Sequence, residues 1–333
     1  MKAAILHGAR DVRFGQVDRP SLHDGEALLR VRACGICGSD LHTYREGLFE
    51  DLGRATAAGR ILGHEFSGVI EEICGEWPDL TAGDRVTTVT TGANAEYVKI
   101  SRAMRDLVLP IPEHVSFTEA ATTEPLATSL HAVNLAEPRD GETHVIMGAG
   151  IIGLGVLQCL RTRADVRTIV VDLSDKRLSL AKALGADEII NARNEDVVAR
   201  LVPGHRPDHA LLQGMAGAAD TVYDCVGATA NFKGTTVLEQ ALSMVNQNGK
   251  VVVVAVFERR LEIDPNVIVR KGVRLLGSWA WQPDEFVAAL ALITSGKIDR
   301  TPLISHEFPL EEATRAYATQ DRADTAIKVM LVP

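Results

Sequence analysis

Up to about Thr122 the apolar residues fall in short alternating or β-branched runs, such as KAAIL, EALLRVRA, FSGVIEEI, DRVTTVT and AEYVKI, each broken by Gly, Pro or Asp. An alternation of period two sets one side of a strand against a core, so this part of the chain is predicted to be mostly β. The pattern changes after Glu124-Pro125, where a helical stretch, LATSLHAVNLA, leads into alternating units. Short apolar runs (THVIM, RTIVVD, DTVYDCVG and KVVVVAVF) are separated by segments of helical spacing (IIGLGVLQCLRTR, SDKRLSLAKALGA and TTVLEQALSMVNQNG). Strands alternating with helices imply parallel pairing through βαβ crossovers. Beyond Gly277 the reading is an amphipathic helix (PDEFVAALALITSG), a connecting stretch (LISHEFPL), a second helix (EEATRAYATQ) and a last strand (AIKVMLV). No internal repeat or low-complexity tract interrupts this order.

The length of 333 residues, at roughly 150 per domain, implies two domains. Acidic side chains outnumber basic ones, 44 to 35, for a formal charge of −9. That balance argues against a nucleic acid or an anionic membrane as partner. Five cysteines are too few and too unevenly placed for a secreted disulfide scaffold, so reduced thiols and a cytoplasmic location are expected. The opening MKAAILHGARDVRF has charge and Gly where a leader needs its apolar run, and no stretch approaches the roughly 18 uninterrupted apolar residues of a membrane span. An enzyme or a binding protein remains.

THVIM runs into Gly148-Ala149-Gly150-Ile151-Ile152-Gly153, a G-x-G-x-x-G between a predicted strand and a predicted helix. Gly148 permits the tight turn, Gly150 lets the backbone approach a pyrophosphate, and Gly153 lets helix pack closely on strand. The pyrophosphate would lie over Ile151 and Ile152 at the helix N-terminus, where N–H groups and the dipole favour an anion. The next strand ends at Asp172, 19 residues beyond Gly153, the spacing at which an acid binds the adenosine ribose hydroxyls. A carboxylate there repels a 2′-phosphate, which predicts NAD rather than NADP. Lys176 and Arg177 follow on the next helix, either within reach of such a phosphate or as solvated helix charges. A glycine-rich turn without a ligand is the plain alternative; strand, glycines, helix and acid in register favour the dinucleotide.

Upstream lie Gly35-Ile36-Cys37-Gly38-Ser39-Asp40-Leu41-His42, Gly63-His64-Glu65 and Glu124-Pro125. A thiolate, an imidazole and one or two carboxylates suit borderline-soft Zn²⁺, and three protein donors with an open position are the catalytic arrangement. Each residue alone has an ordinary explanation, as core thiol, hydrogen-bonded polar group or boundary residue. Their joint occurrence ahead of the dinucleotide motif raises the metal reading. Cys34 and Cys37 also spell C-x-x-C, but without the thioredoxin-like unit that a redox pair requires, so Cys34 is read as packing.

With these motifs the chain resembles the zinc-dependent medium-chain dehydrogenase/reductase family, which includes alcohol, polyol and threonine dehydrogenases. The resemblance is carried by GICGSDLH (35–42), GHEFSGVIEEI (63–73), AGDRV (82–86), AEYVKI (95–100), TEPLATSLHAV (123–133) and GAGIIG (148–153), and extends to the closing IKVMLVP. It implies an α/β protein of two domains: a discontinuous, mostly β GroES-like catalytic domain (1–125 and 278–333) and a Rossmann NAD-binding domain with a doubly wound parallel sheet (126–277). By motif position Cys37 and His64 are zinc ligands, Glu65 is a ligand or close neighbour, and Glu124 stands where the alcohol dehydrogenase branch has a cysteine. A carboxylate there is similar to the sorbitol and polyol branch; whether Glu65 or Glu124 is the direct ligand stays open.

The family also implies a role for Ser39 as proton acceptor and for His42 as the group passing that proton to solvent, which with Glu65 makes three catalytic candidates. Asp40 would orient His64. Zinc would act as a Lewis acid that lowers the pKa of an alcohol as its hydride passes to NAD. The substrate is then a small secondary alcohol or ketone, favoured as a polyol, sugar, cyclitol or amino alcohol because of Glu124. A homo-oligomer, dimer or tetramer, is the expected assembly. The chain departs from many members in one respect: between Val86 and Ala95 it has only TTVTTGAN, where they carry a four-cysteine lobe for a structural zinc. One zinc per chain is therefore expected. The alternatives are a zinc-free NADPH quinone or enoyl reductase on the same fold and a non-catalytic dinucleotide-binding protein, both disfavoured by the Cys37, His64 and Glu124 set. The segment TYREGLFEDLGRATAAGR and SWAWQ are expected near the substrate, with Tyr44, Phe49 and Trp281 equally explicable as core or subunit contacts.

Overall fold

The computed structural model describes residues 1–46, 59–202, 217–229, 232–322 and 324–333. The chain divides into two compact units, residues 1–127 with 283–333 and residues 128–282. Along the first unit run β1 (Lys2–Gly8), β2 (Asp11–Gln16), β3 (Glu26–Gly35), α1 (Gly38–Glu46), β4 (Arg60–Ile61), β5 (Glu65–Cys74), β6 (Arg85–Thr88), β7 (Tyr97–Ser101), β8 (Leu109–Pro110) and α2 (Phe117–Ala120). Helix α3 (Thr123–Ala136) leads into β9 (Thr143–Met147), α4 (Ile151–Arg163), β10 (Arg167–Asp172), α5 (Asp175–Ala183), β11 (Glu188–Asn191), α6 (Val197–Leu201), β12 (Ala219–Asp224), α7 (Val237–Met244), β13 (Val245–Val253), α8 (Pro265–Lys271) and β14 (Arg274–Gly277). The chain then returns to the first unit with α9 (Pro283–Thr294), β15 (Ile304–Pro309), α10 (Ala313–Gln320) and β16 (Lys328–Val332). No helix among the described residues is long and apolar enough to cross a membrane.

The first unit has a small sheet, β2-β1-β4, and a larger one ordered β15-β16-β3-β5-β6-β8, with β7 also paired to β3. Period-two patterning decides which side chains are buried together. Ala27, Leu29 and Val31 of β3 pack with Phe66, Ile70 and Val86. Val329 and Leu331 of β16 pack with Leu41 and Tyr44 of α1 and Tyr317 of α10. The tail strand is therefore part of the sheet it closes.

The second unit holds a six-stranded sheet in the order β11-β10-β9-β12-β13-β14, with every neighbouring pair parallel. Strand β9 lies at the point where the order reverses, and ligands of such sheets bind outside the carboxyl ends of the strands there. The glycine run leaves β9 at that end. Two of the six strands, β11 and β14, were outside the sequence expectation: four residues each give too short a run to read. Two further boundaries differ. The helix expected to continue to Asn248-Gly249 stops at Met244, because Val245 adopts extended dihedrals and pairs with Ala219. LISHEFPL, expected to be a connection, forms edge strand β15 parallel to β16; within β15 only Phe308 is buried, so no alternation marks it.

The register of three strands places one ion pair. Gly35 at the end of β3 lies opposite Glu65 of β5 and Met330 of β16. Lys328 Nζ donates to Glu65 Oε2 at 2.5 Å and to the Ile36 carbonyl at 3.0 Å, with both side chains 1% exposed. A Cβ on Gly35 would stand 2.3 Å from Glu65 Oε2, so the close approach needs glycine. Lys328→Met leaves a buried carboxylate without its partner, a loss of about 3–5 kcal/mol. Thermal unfolding should show a fall in Tm of roughly 10 °C.

Candidate functional site

Cys37 lies between the end of β3 and the start of α1, and His64 immediately precedes β5. Asp40, in the first turn of α1, holds these two stretches together. Its carboxylate accepts Cys37 N–H at 3.1 Å and Gly63 N–H at 3.4 Å, and stands 3.6 Å from His64 Nδ1. As a result one donor atom each from Cys37, His64 and Glu65 lies within 4.8 Å of the others. Glu65 Oε2 is taken by Lys328, whereas Oε1 is buried with no hydrogen-bond partner among the described residues.

The electrostatics of these groups are mutually dependent. Burial and the Glu65 carboxylate push the Cys37 thiol up, against the pull of His64 and Lys328. Burial also opposes a charged His64, yet Cys37 and Asp40 hold the imidazole well above its usual range. Asp40 stays below the usual carboxylate range despite burial, held there by His64 and the two backbone N–H groups. Buried acceptors without a partner are uncommon in folded chains, and a divalent cation among thiolate, imidazole and carboxylate would satisfy all three while deprotonating the thiol outright. The donor set fits zinc. Glu124 is not one of this trio: it sits in the first turn of α3, and against the burial of Lys328 it adds only a minor part to the pull of Glu65 and Cys37 that raises that lysine.

Ser39 and His42 are both half-buried on α1, three residues apart and so on neighbouring positions of one helix face. Ser39, Thr43, Arg60, Gly63, His64 and Thr91 line one hollow, which brings the hydroxyl and a candidate ligand to the same surface. Tyr44 is a core residue, 6% exposed with its ring 5.3 Å from that of Tyr317. Phe49 and most of the segment around it lie outside the described residues. Cys34 is fully buried, and its thiol is pushed well up by burial. Lys328 was missed by sequence reasoning; its signal was a lysine set inside the apolar run AIKVMLV.

In the second unit Gly148 has φ +99°, and a Cβ on Gly153 would lie 1.8 Å from Gly148 O. Both glycines are thus required, one for its dihedral and the other for close packing of α4 on the loop. Gly150 caps α4 without any side-chain acceptor, leaving the first-turn N–H groups at Ile151 and Ile152 to another partner. Asp172, ending β10, accepts Ala149 N–H at 2.7 Å and Ser174 N–H at 2.8 Å, and its Oδ2 lies 3.8 Å from Arg177 Nη1. The structure thus gathers the glycine loop, Asp172 and Arg177 at one end of the parallel sheet.

Residues 23–113 match the alcohol dehydrogenase GroES-like domain, and residues 152–295 match the zinc-binding dehydrogenase family. L-idonate 5-dehydrogenase of Vitis vinifera is 30% identical, over 98% of this chain and 93% of that protein. A sorbitol dehydrogenase of Arabidopsis thaliana is 30% identical over 98% of this chain and 94% of its own. The crystal structure of 2R,3R-butanediol dehydrogenase from Bacillus subtilis has a TM-score of 0.83 at 26% identity, covering 100% of this chain and 99% of that one. Both units, and the order of motifs across them, thus place this chain in the zinc-binding, medium-chain dehydrogenase family.

Proposed function

We propose that this chain is a zinc- and NAD-dependent dehydrogenase that interconverts a secondary alcohol and its ketone, with a polyol, sugar, cyclitol or amino alcohol as substrate class. Relatives named for idonate, sorbitol and butanediol place it among oxidoreductases of the alcohol and polyol dehydrogenase type. The observation that carries the zinc reading is the convergence of Cys37, His64 and Glu65 donors within 4.8 Å, beside a buried Glu65 Oε1 that has no partner among the described residues. When bound, zinc would supply Lewis acidity to the alcohol oxygen and NAD would accept the hydride.

The chain's own residues would handle the proton. Ser39 shares its hollow with His64, which supports it as the hydroxyl that takes the alcohol proton. His42, one helical turn on, would pass the proton to solvent. Asp40 would keep the His64 ring in place from its other side. Glu124 remains a group for the substrate side or for an outer place in the metal centre. In the cofactor site the α4 N-terminus would hold the pyrophosphate, and Asp172 the adenosine ribose hydroxyls, with its charge disfavouring a 2′-phosphate.

Elemental analysis of the purified protein should find one zinc per chain; two would refute the single-site reading. Ser39→Ala should lower kcat by roughly 100-fold in polyol-dependent NADH formation with zinc content unchanged, and near-full activity would remove Ser39 from the relay. Asp172→Asn should raise the KM for NAD far more than that for NADP. Unchanged selectivity in steady-state kinetics would sink the assignment of Asp172.

A further inference from the structure

The backbone that presents His64 and Glu65 is held from behind by residues that supply no metal donor. Gly92 and Ala93 both donate N–H to the Gly63 carbonyl, at 3.0 and 3.1 Å, and Asn94 N–H donates to the Leu62 carbonyl at 2.9 Å. Three successive residues of the short connection between β6 and β7 thus pin the turn just ahead of two candidate ligands. This brace has its own anchors. The Asn94 carbonyl accepts Ala4 N–H at 2.8 Å, and the Asn94 side-chain amide donates to the Tyr317 hydroxyl at 2.7 Å.

Asn94 and Tyr317 are both 0% exposed. Asn94 Oδ1 has no hydrogen-bond partner among the described residues, and it lies so near the turn that a Cβ on Gly63 would be 2.5 Å from it. A buried amide with one atom unsatisfied costs free energy that an apolar side chain of equal size would not. Its one side-chain bond, to Tyr317, is therefore the feature to explain. Tyr317 belongs to α10, and its ring packs 5.3 Å from that of Tyr44 on α1, the helix of Ser39 and His42. A single hydrogen bond so joins the support of the ligand turn to the support of the relay helix.

We infer that Asn94 and Tyr317 are positioning residues for the metal centre: their hydrogen bond sets the Leu62–Gly63 turn, and with it the approach of His64 and Glu65 to Cys37. Zinc binding by those three residues, proposed above, is the premise. Metal–nitrogen and metal–oxygen bonds near 2.0–2.2 Å tolerate little drift of the backbone that carries them, and partners that orient ligands are worth roughly 10- to 100-fold in metal affinity.

The test uses the full chain as wild type, Tyr317→Phe and Asn94→Ala, each stripped of metal and titrated with Co²⁺. Tyr317→Phe deletes one oxygen and keeps the ring that packs on Tyr44; should Asn94→Ala fail to fold, Tyr317→Phe decides alone. Cobalt affinity is measured by chelator competition, ligand geometry by visible absorption, and stability of the metal-free proteins by thermal unfolding. Expected is a loss of cobalt affinity of about tenfold or more in Tyr317→Phe, with altered ligand-field bands. An unchanged affinity and spectrum in Tyr317→Phe, whatever its Tm, overturns the inference while leaving the zinc reading intact. A wild type that takes up no cobalt overturns both.

Discussion

The buried ion pair between Glu65 and Lys328 is the contact on which the first unit's site depends. It joins residues 263 positions apart in the chain, and it lies where β3 ends, β5 begins and β16 begins. Two charges with 1% exposure each are expensive to desolvate, and a hydrophobic pair would hold three strands together as well. What the pair adds is placement. Lysine engages one carboxylate oxygen and the Ile36 carbonyl, which fixes Glu65 beside Cys37 and His64 and leaves its other oxygen without a partner among the described residues.

In both units the chain repeats one local device, a carboxylate that gathers two backbone N–H groups from a loop. Asp40 takes those of Cys37 and Gly63. Asp172 takes those of Ala149 and Ser174 beside the glycine run. Asp224, at the carboxyl end of β12, takes those of Val226 at 3.0 Å and Gly227 at 2.9 Å. Side-chain bonds of this kind tie a loop's backbone to the element that carries the acid. Two of these acids also stand beside a basic group: Asp40 is 3.6 Å from His64 Nδ1, and Asp172 is 3.8 Å from Arg177 Nη1.

Much of this was readable before any coordinates. The β9–α4–β10 unit, with its glycines and Asp172, is coded within thirty consecutive residues, and dihedral demand and close packing at Gly148 and Gly153 act over that short range. The pairing of Cys37 with His64 was implied by the family resemblance of their two motifs, and the donors do converge. Less visible were β11 and β14, whose four-residue runs carry no period, and β15, an edge strand with a single buried side chain.

By itself, then, the sequence determined the alternation of strands and helices, the glycine-rich turn and the residue types of a candidate metal centre, because each is specified by neighbours in the chain. Only the tertiary structure decided which carboxylate joins Cys37 and His64, that Lys328 holds it, and that Asn94 and Tyr317 stand behind the Leu62–Gly63 turn. Those choices are made by strand register and by side chains meeting from opposite ends of the chain, as Asn94 and Tyr317 do across 223 positions. Local periodicity records which face of a strand is buried, but not which distant residue will be buried against it.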